Sequence, residues 1–537
     1  MGPARADAAV FLWPAPDAAH LLVRSEQMAA LEAELFASGL PVAALMEKAA
    51  LQISRRLLAQ PQRLVAGVLV LVGPGHNGAD GLVVARELHL AGVAVRIWCP
   101  FERQKPLAAE HRRHARWLGI PALSAPPDPG DAALWIDALF GIGQHRAPSE
   151  DLQKLFAERQ AARAGQLVAI DVPTGLCADG GRVLGRVAAC ASQTFCLGLL
   201  KQGLVQDSAL AWVGQLERLD LALPAALLAT LPIDQPLGLG AADLKTAPRP
   251  VLPPEAAKYG RGRLLVVAGS DRYRGAALLS LLGASASGCG SLRAALPAAV
   301  AAGLWAVQPQ VVMEAALEER PTGGLALAPL AVPGVLDRLD AVLLGPGIGL
   351  GSGIGGGTAC ADEPAWQALQ DFPGLLVLDA DGLNRLAGGA AGTAGTTWLQ
   401  QRRGPTWLTP HAGEFARLFP DLAGRPPLEA AAAAAGRCQV SVLLKGARSV
   451  VASADGRRWQ LLAAAAAAAR AGLGDVLAGY AAGRGAAAGC GEGGALLAAA
   501  ALEHAQAGLA CCRERGRGAA TPQAIAQQLA GRAGRVA

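Results

Sequence analysis

Asparagine and lysine are scarce in this chain. Asn77 and Asn384 are its two asparagines in 537 residues, and arginine outnumbers lysine about six to one. Alanine tracts at Ala430–Ala435 and Ala463–Ala469 show the same drift toward a narrow alphabet, so residues that resist it mark positions held by chemistry. Both asparagines fall in Gly- or Asp-rich segments at predicted strand ends, and Lys445 follows an apolar strand and precedes Gly446. The ten cysteines form no C-x-x-C and show no paired spacing, which excludes a disulfide framework and a structural zinc site. No strong charge excess is present: the net charge is +5, with 17% charged residues, and the arginines are scattered. Wholesale disorder and a dedicated nucleic-acid surface are excluded on that ground. No apolar stretch reaches the ~20 residues of a bilayer span. Val10–Trp13 is too short for a signal-peptide core of ~7–15 residues. The expectation is a cytoplasmic protein with no membrane partner.

What is present is a rhythm. The length exceeds a ~150-residue domain more than threefold, and 52% hydrophobic residues can fill two cores. Apolar runs of strand length at 67–72, 94–99, 134–139, 167–172 and 189–196 alternate with helical segments at 82–91 and 107–118. A second series follows at 264–268, 341–344, 375–378, 406–409 and 440–444, with helices at 276–287 and from Asp475 onward. Such alternation predicts α/β architecture, two parallel-sheet domains in tandem. The stretch 219–235 shows no clear strand, so we divide the chain into domains at 20–225 and 251–535 with a linker at 226–250.

In open parallel sheets ligands lie beyond the carboxyl ends of the strands. The first strand ends in Gly73-Pro74-Gly75-His76-Asn77-Gly78-Ala79-Asp80-Gly81, which reads as a flexible loop offering backbone N–H groups to phosphate, although it fits neither G-x-G-x-x-G nor a P-loop. Two more strands end in aspartate, Asp137 before Ala138-Leu139-Phe140-Gly141-Ile142-Gly143 and Asp171 before Val172-Pro173-Thr174-Gly175. A buried aspartate there is costly unless it meets a cation, amides or substrate hydroxyls. In the second half come Gly269-Ser270-Asp271, Gly345-Pro346-Gly347-Ile348-Gly349, Asp379-Ala380-Asp381-Gly382-Leu383-Asn384, Thr409-Pro410-His411-Ala412-Gly413-Glu414, Lys445-Gly446 and Gly472-Leu473-Gly474-Asp475. The last places backbone amides toward phosphate and one carboxylate beside a transferred group, a layout suited to moving a phosphoryl group onto a hydroxyl. A helix N-cap is the plainer use of the same aspartate. His111 and His114 read as a solvated helix face, Glu503-His504 and Cys511-Cys512 as packing, and Trp305 and Trp407 as core aromatics.

With these residues in view, the first half resembles the epimerase domain of the NAD(P)H-hydrate repair enzymes, from about Arg24 to Asp220. The resemblance implies a Rossmann-like three-layer domain in which His76, Asn77, Gly78, Ala79 and Asp80, then Gly141, Ile142, Gly143, Gln144, His145, Arg146 and Ala147, line the site for the hydrated coenzyme. It implies a K+ ion on Asn77, Asp137 and Thr174, with Asp171 as the catalytic residue. His76 replaces the family's Asn and Ala79 its Gly; a positive φ at Ala79 would be strained. From Lys258 onward the chain is similar to the ribokinase-like dehydratase domain of the same enzymes. There the resemblance implies that Ala276, Gly347, His411 and catalytic Asp475 face the hydrated dinucleotide, while Lys445, Gly446, Ala447, Arg448, Ser449 and Gly474 hold ADP, with Mg2+ between the phosphates. Relatives carry an anion-cradling turn before Gly-Asp, whereas the tract Ala463–Ala469 favours helix. The implied substrates are NADHX, NADPHX and ADP, the apolar helices of the second half leave room for a homo-oligomer, and rival readings are a small-molecule kinase or a non-catalytic dinucleotide scaffold.

Overall fold

The computed structural model describes residues 12–250, 255–321, 323–350, 362–388, 393–465, 468–489 and 493–533. The chain divides into two compact units, Ala15–Gln235 and a second made of Pro236–Ala537 with the N-terminal segment that ends at Pro14.

In the first unit, Val68–Val72, Val95–Trp98, Ala122–Leu123, Leu134–Ala138, Leu167–Ile170, Gln193–Leu197 and Gln215–Leu219 form a seven-stranded parallel sheet. Counted along the chain, its spatial order is 3-2-1-4-5-6-7. Every residue of Val68–Val72 is buried, as befits a strand covered on both faces by crossover helices. The order reverses between Val68–Val72 and Leu134–Ala138, so the two aspartate-bearing tips and the Gly73–Gly75 turn open on one crevice. Gly73 makes the close approach possible: a Cβ there would lie 1.7 Å from the Leu139 carbonyl oxygen.

The second unit holds a ten-stranded sheet, mainly parallel, in which Ser441–Leu444, Val450–Ala452 and Arg458–Leu461 pair antiparallel. Its direction of growth reverses between Arg263–Val267 and Ala341–Leu344, where Gly269 N–H donates to the Pro346 carbonyl at 2.7 Å. The helices Arg274–Ala286, Leu473–Ala487 and Gly493–Arg515 cover one face. Gly493–Arg515 has the length and composition of a membrane span, but 78% of its apolar window is buried inside this unit, where it serves as core.

Several expectations change. The stretch assigned to a linker carries the helix Ala225–Leu228 and the strand Leu237–Leu239, an edge strand paired with Arg458–Leu461, and Gln215–Leu219 is a strand that its polar alternation concealed. The described part of the alanine tract is not an α-helix: residues 463–465 take no regular form, and Ala468, in 3-10 conformation, donates its N–H to Ala465 O at 2.8 Å and lies against Gly508 of the core helix. Trp305 is 74% exposed on a surface 3-10 turn, whereas Trp407 is buried. His111 is half-buried, with Glu47 and Arg86 near its ring, and only His114 keeps to the solvated face.

Candidate functional sites

The Gly73 loop is shorter than the sequence suggests. Gly75 caps a helix that begins at His76, so His76, Asn77 and Gly78 form its first turn and leave their N–H groups toward the crevice. Ala79 is helical and packed in the core, which removes the concern about positive φ and turns its methyl away from any ligand. Asn77 has a buried amide nitrogen with no hydrogen-bond partner. Gly141 sits over the site: a Cβ there would come 3.1 Å from Asp171 Oδ2 and 3.5 Å from Asn77 Cβ. Asn77, Gly141 and Asp171 are thus brought together.

Asp171 is a non-glycine residue at φ +66, a left-handed strand tip, and its N–H is tied to Phe195 O at 2.8 Å. Its carboxylate accepts from Lys201 Nζ at 2.5 Å and from Leu197 N–H at 3.3 Å. Lys201 also donates to Leu197 O at 2.7 Å and is 1% exposed. Burial opposes the ammonium charge, but Asp171 and its neighbours outweigh that and hold the Lys201 pKa above its ordinary value. Asp137 is fully buried and accepts from Thr174 N–H and Thr174 Oγ1–H, both at 2.8 Å. Burial still pushes its pKa up to about 6, the mark of a carboxylate short of a counter-charge. Gln144 is a clamp: its amide donates to Pro173 O at 3.1 Å and accepts from Gly175 N–H at 2.7 Å, joining two site loops. Ile142 is half-buried, and Gly143, His145, Arg146 and Ala147 are exposed. Sequence reasoning missed Lys201 and Glu32. The scarcity of lysine that singled out Lys445 would have found Lys201 as well.

In the second unit, Gly472 at φ +90 caps the helix Leu473–Ala487, which places Asp475 in its first turn. Lys445 Nζ lies 2.6 Å from Asp379 Oδ1 and 3.4 Å from where a Cβ on Gly474 would stand, so only glycine leaves the ammonium room over the helix start. Burial, reinforced by Asp379, pushes the Asp475 pKa up to about 7. Glu414 is raised by burial, and Lys445 is raised because Asp379 and Glu414 outweigh its burial. His411 is the cap of the helix Ala412–Leu418: its Nδ1 accepts from Gly413 N–H at 2.9 Å, and its own N–H donates to Glu414 Oε2 at 2.9 Å. The ring edge with Nε2 faces Glu414 at 3.2 Å and is largely exposed. Gly347, at φ +67, packs on Ala276 and Tyr273. Gly446, Ala447, Arg448 and Ser449 are the turn of the hairpin 441–452, closed by Ser449 Oγ on Gly446; Arg448 is buried there, its carbonyl accepting from Gln460. A cavity of about 830 Å³ adjoins, lined by Tyr273, Gly349, Asp381, Asn384 and Arg417, and Asp381 contributes to raising Asp475. His504, read as packing, has its Nε2 buried without a partner, and burial beside Lys445 drops its pKa to about 4.

Fold and sites define a two-unit α/β protein with a lysine–aspartate pair at the strand tips of each unit. The family model for NAD(P)H-hydrate dehydratase matches residues 264–530, and that for the YjeF-related protein N-terminus matches 42–203. The chain is 42% identical over 470 residues to the bifunctional NAD(P)H-hydrate repair enzyme Nnr of Gloeobacter violaceus, covering 85% of this chain and 87% of that one. It is 41% identical over 514 residues to the Synechocystis enzyme of the same name, covering 92% and 91%. Among solved structures, the Bacillus subtilis ADP/ATP-dependent NAD(P)H-hydrate dehydratase co-crystallised with ATP/Mg2+ is similar at 26% identity and TM-score 0.43, over 54% of this chain and 94% of that one. The chain belongs to the bifunctional NAD(P)H-hydrate repair enzymes.

Proposed function

We propose that this protein repairs NADHX and NADPHX: the Ala15–Gln235 unit interconverts the R and S epimers, and the second unit dehydrates the S epimer with ADP, giving AMP and phosphate. Asp475 carries the second reading. A buried carboxyl with a pKa of about 7 at a helix start beside Lys445 is poised to accept a hydroxyl proton near neutral pH. The substrate oxygen attacks the terminal phosphorus of ADP, its proton passes to Asp475, and the bond to AMP breaks. Phosphate then leaves the ring carbon as the neighbouring carbon loses a proton, which restores the double bond of NAD(P)H. Lys445 and the Gly474 amide would face the phosphates, with the Gly446–Ser449 turn beside them. Mg2+ would neutralise phosphate charge; no group of three His, Cys, Asp or Glu side chains that could hold a metal ion occurs among the described residues, so the ion would be held chiefly by the phosphates. His411, Ala276 and Gly347 would meet the coenzyme.

In the first unit Asn77, Asp137 and Thr174 would hold K+. The fit rests on a fully buried carboxyl whose pKa stands at about 6, which a cation among oxygen donors would relieve, with the Asn77 side-chain oxygen and the Thr174 hydroxyl as further oxygen donors. The ion would supply charge that fixes the Asp137 tip. Asp171 would act on the ring hydroxyl, with His76–Asp80 and Gly141–Ala147 around it. Such chemistry suits the cytoplasm, and a homo-oligomer is part of the same reading. Mixing the protein with both epimers of NADHX and ADP should restore the reduced-nicotinamide absorbance completely. Recovery of half would refute the epimerase, and no recovery would refute the whole reading.

A further inference from the structure

The crevice of the Ala15–Gln235 unit holds more acid than it can ionise. Glu32, Asp80 and Asp171 act on one another there, and Lys201 is committed to Asp171 at 2.5 Å, with side chains 1% and 9% exposed. Asp80 is 7% exposed and accepts no hydrogen bond from any described residue. With Glu32 and His76 it lines a cavity of about 60 Å³ whose other walls, Met46 and Leu197 among them, are apolar. The remaining titratable groups in reach are Cys196 behind Lys201 and Lys105 beyond His76, and neither neutralises Asp80. An isolated ionised carboxylate in such a place costs several kcal/mol, and keeping the proton is the cheaper state. Burial, with Asp171 and Glu32 alongside, moves the Asp80 pKa well up. Asp171 sits in the opposite environment, against an ammonium and a backbone N–H. A buried carboxyl without a partner beside an aspartate ion-paired to a lysine offers an acid and a base in one crevice.

We propose that Asp80 is the general acid of the epimerisation and Asp171, ion-paired to Lys201, its general base. The inference rests on the epimerase reading above. A hydrated reduced nicotinamide bears its hydroxyl on the ring carbon bonded to nitrogen. Asp171 takes the hydroxyl proton, the oxygen pair closes a C=O as the C–N bond breaks, and the released pair on nitrogen receives the Asp80 proton. The opened aldehyde turns about its C–C bond. Nitrogen then adds to the other face, its proton returns to Asp80, and the new alkoxide recovers a proton from Asp171. Nothing is oxidised, and both carboxyls end as they began.

The test uses the full chain, unmodified and as Asp80→Asn, with infrared spectroscopy of the carboxyl band at neutral pH and chromatographic measurement of epimer exchange. The unmodified chain should show a protonated-carboxyl band that Asp80→Asn removes. Exchange should slow at least about 100-fold with KM nearly unchanged and the melting temperature not lowered, because asparagine keeps the shape without a buried acid. Asp80→Glu, which still has a proton to give, should recover part of the rate. Absence of the band, or a variant that exchanges epimers within a few-fold of the unmodified chain, overturns the assignment. An unmodified chain that shows the band but never mixes the epimers overturns the epimerase reading, and the assignment with it.

Discussion

Each unit sets a lysine against an aspartate at the tips of its strands, yet the two pairs differ in access. Lys201 and Asp171 are sealed, with side chains 1% and 9% exposed, whereas Lys445 is 19% exposed above a buried Asp379. A sealed pair spends its cation on holding one carboxylate in place. An open pair can lend its ammonium to an incoming anion while the aspartate anchors the stem. The same two residue types therefore supply a fixed base in one place and a phosphate contact in the other, and burial decides which.

The comparison is sharpest under substitution. Lys201→Met strands Asp171 without its cation and should destabilise the first unit by about 3–5 kcal/mol, read as a lower denaturant midpoint. Lys445→Met should cost the second unit about 1–2 kcal/mol because water reaches its site, while abolishing ADP-dependent turnover. Equal losses would erase the distinction. A smaller effect is expected from pH. Asp475 and Asp137 have folded pKa values of about 7 and 6, above the unfolded range, so their contribution to stability is complete below about pH 4 and lost as pH rises through those values. Stability of the second unit should fall between about pH 4 and 7 and level off above, while its dehydration rate climbs through about pH 7, and Asp475→Asn should flatten the stability slope. An unchanged slope in that variant would remove Asp475 as its source.

The parts legible in the sequence were those where one physical demand dominated. Val68–Val72 and Leu264–Val267 are unbroken apolar runs because sheets covered on both faces leave no room for alternation. Strand tips ending in Asp137 and Asp171 stood out because buried carboxyls need a reason. Other features depended on tertiary partners. The strand Leu237–Leu239 exists only by pairing with Arg458–Leu461, and the two-residue strand holding Lys201 is too short to show a period. The alanine tract has helical propensity, yet its residues 463–465 take no regular form, since a preference worth tenths of a kcal/mol per residue is a weak guide against tertiary context. The clamp that the Gln144 amide makes between two loops was not legible, since spacing alone does not tell which way an amide points.

The central claim is that two separate sites act in turn on one damaged coenzyme, and Asp475→Asn supplied with pure R-NADHX and ADP tests it most directly. The account predicts that the R epimer is still converted to an R and S mixture while no reduced-nicotinamide absorbance returns. Return of that absorbance at the unmodified rate, or loss of epimer exchange together with dehydration, would contradict it.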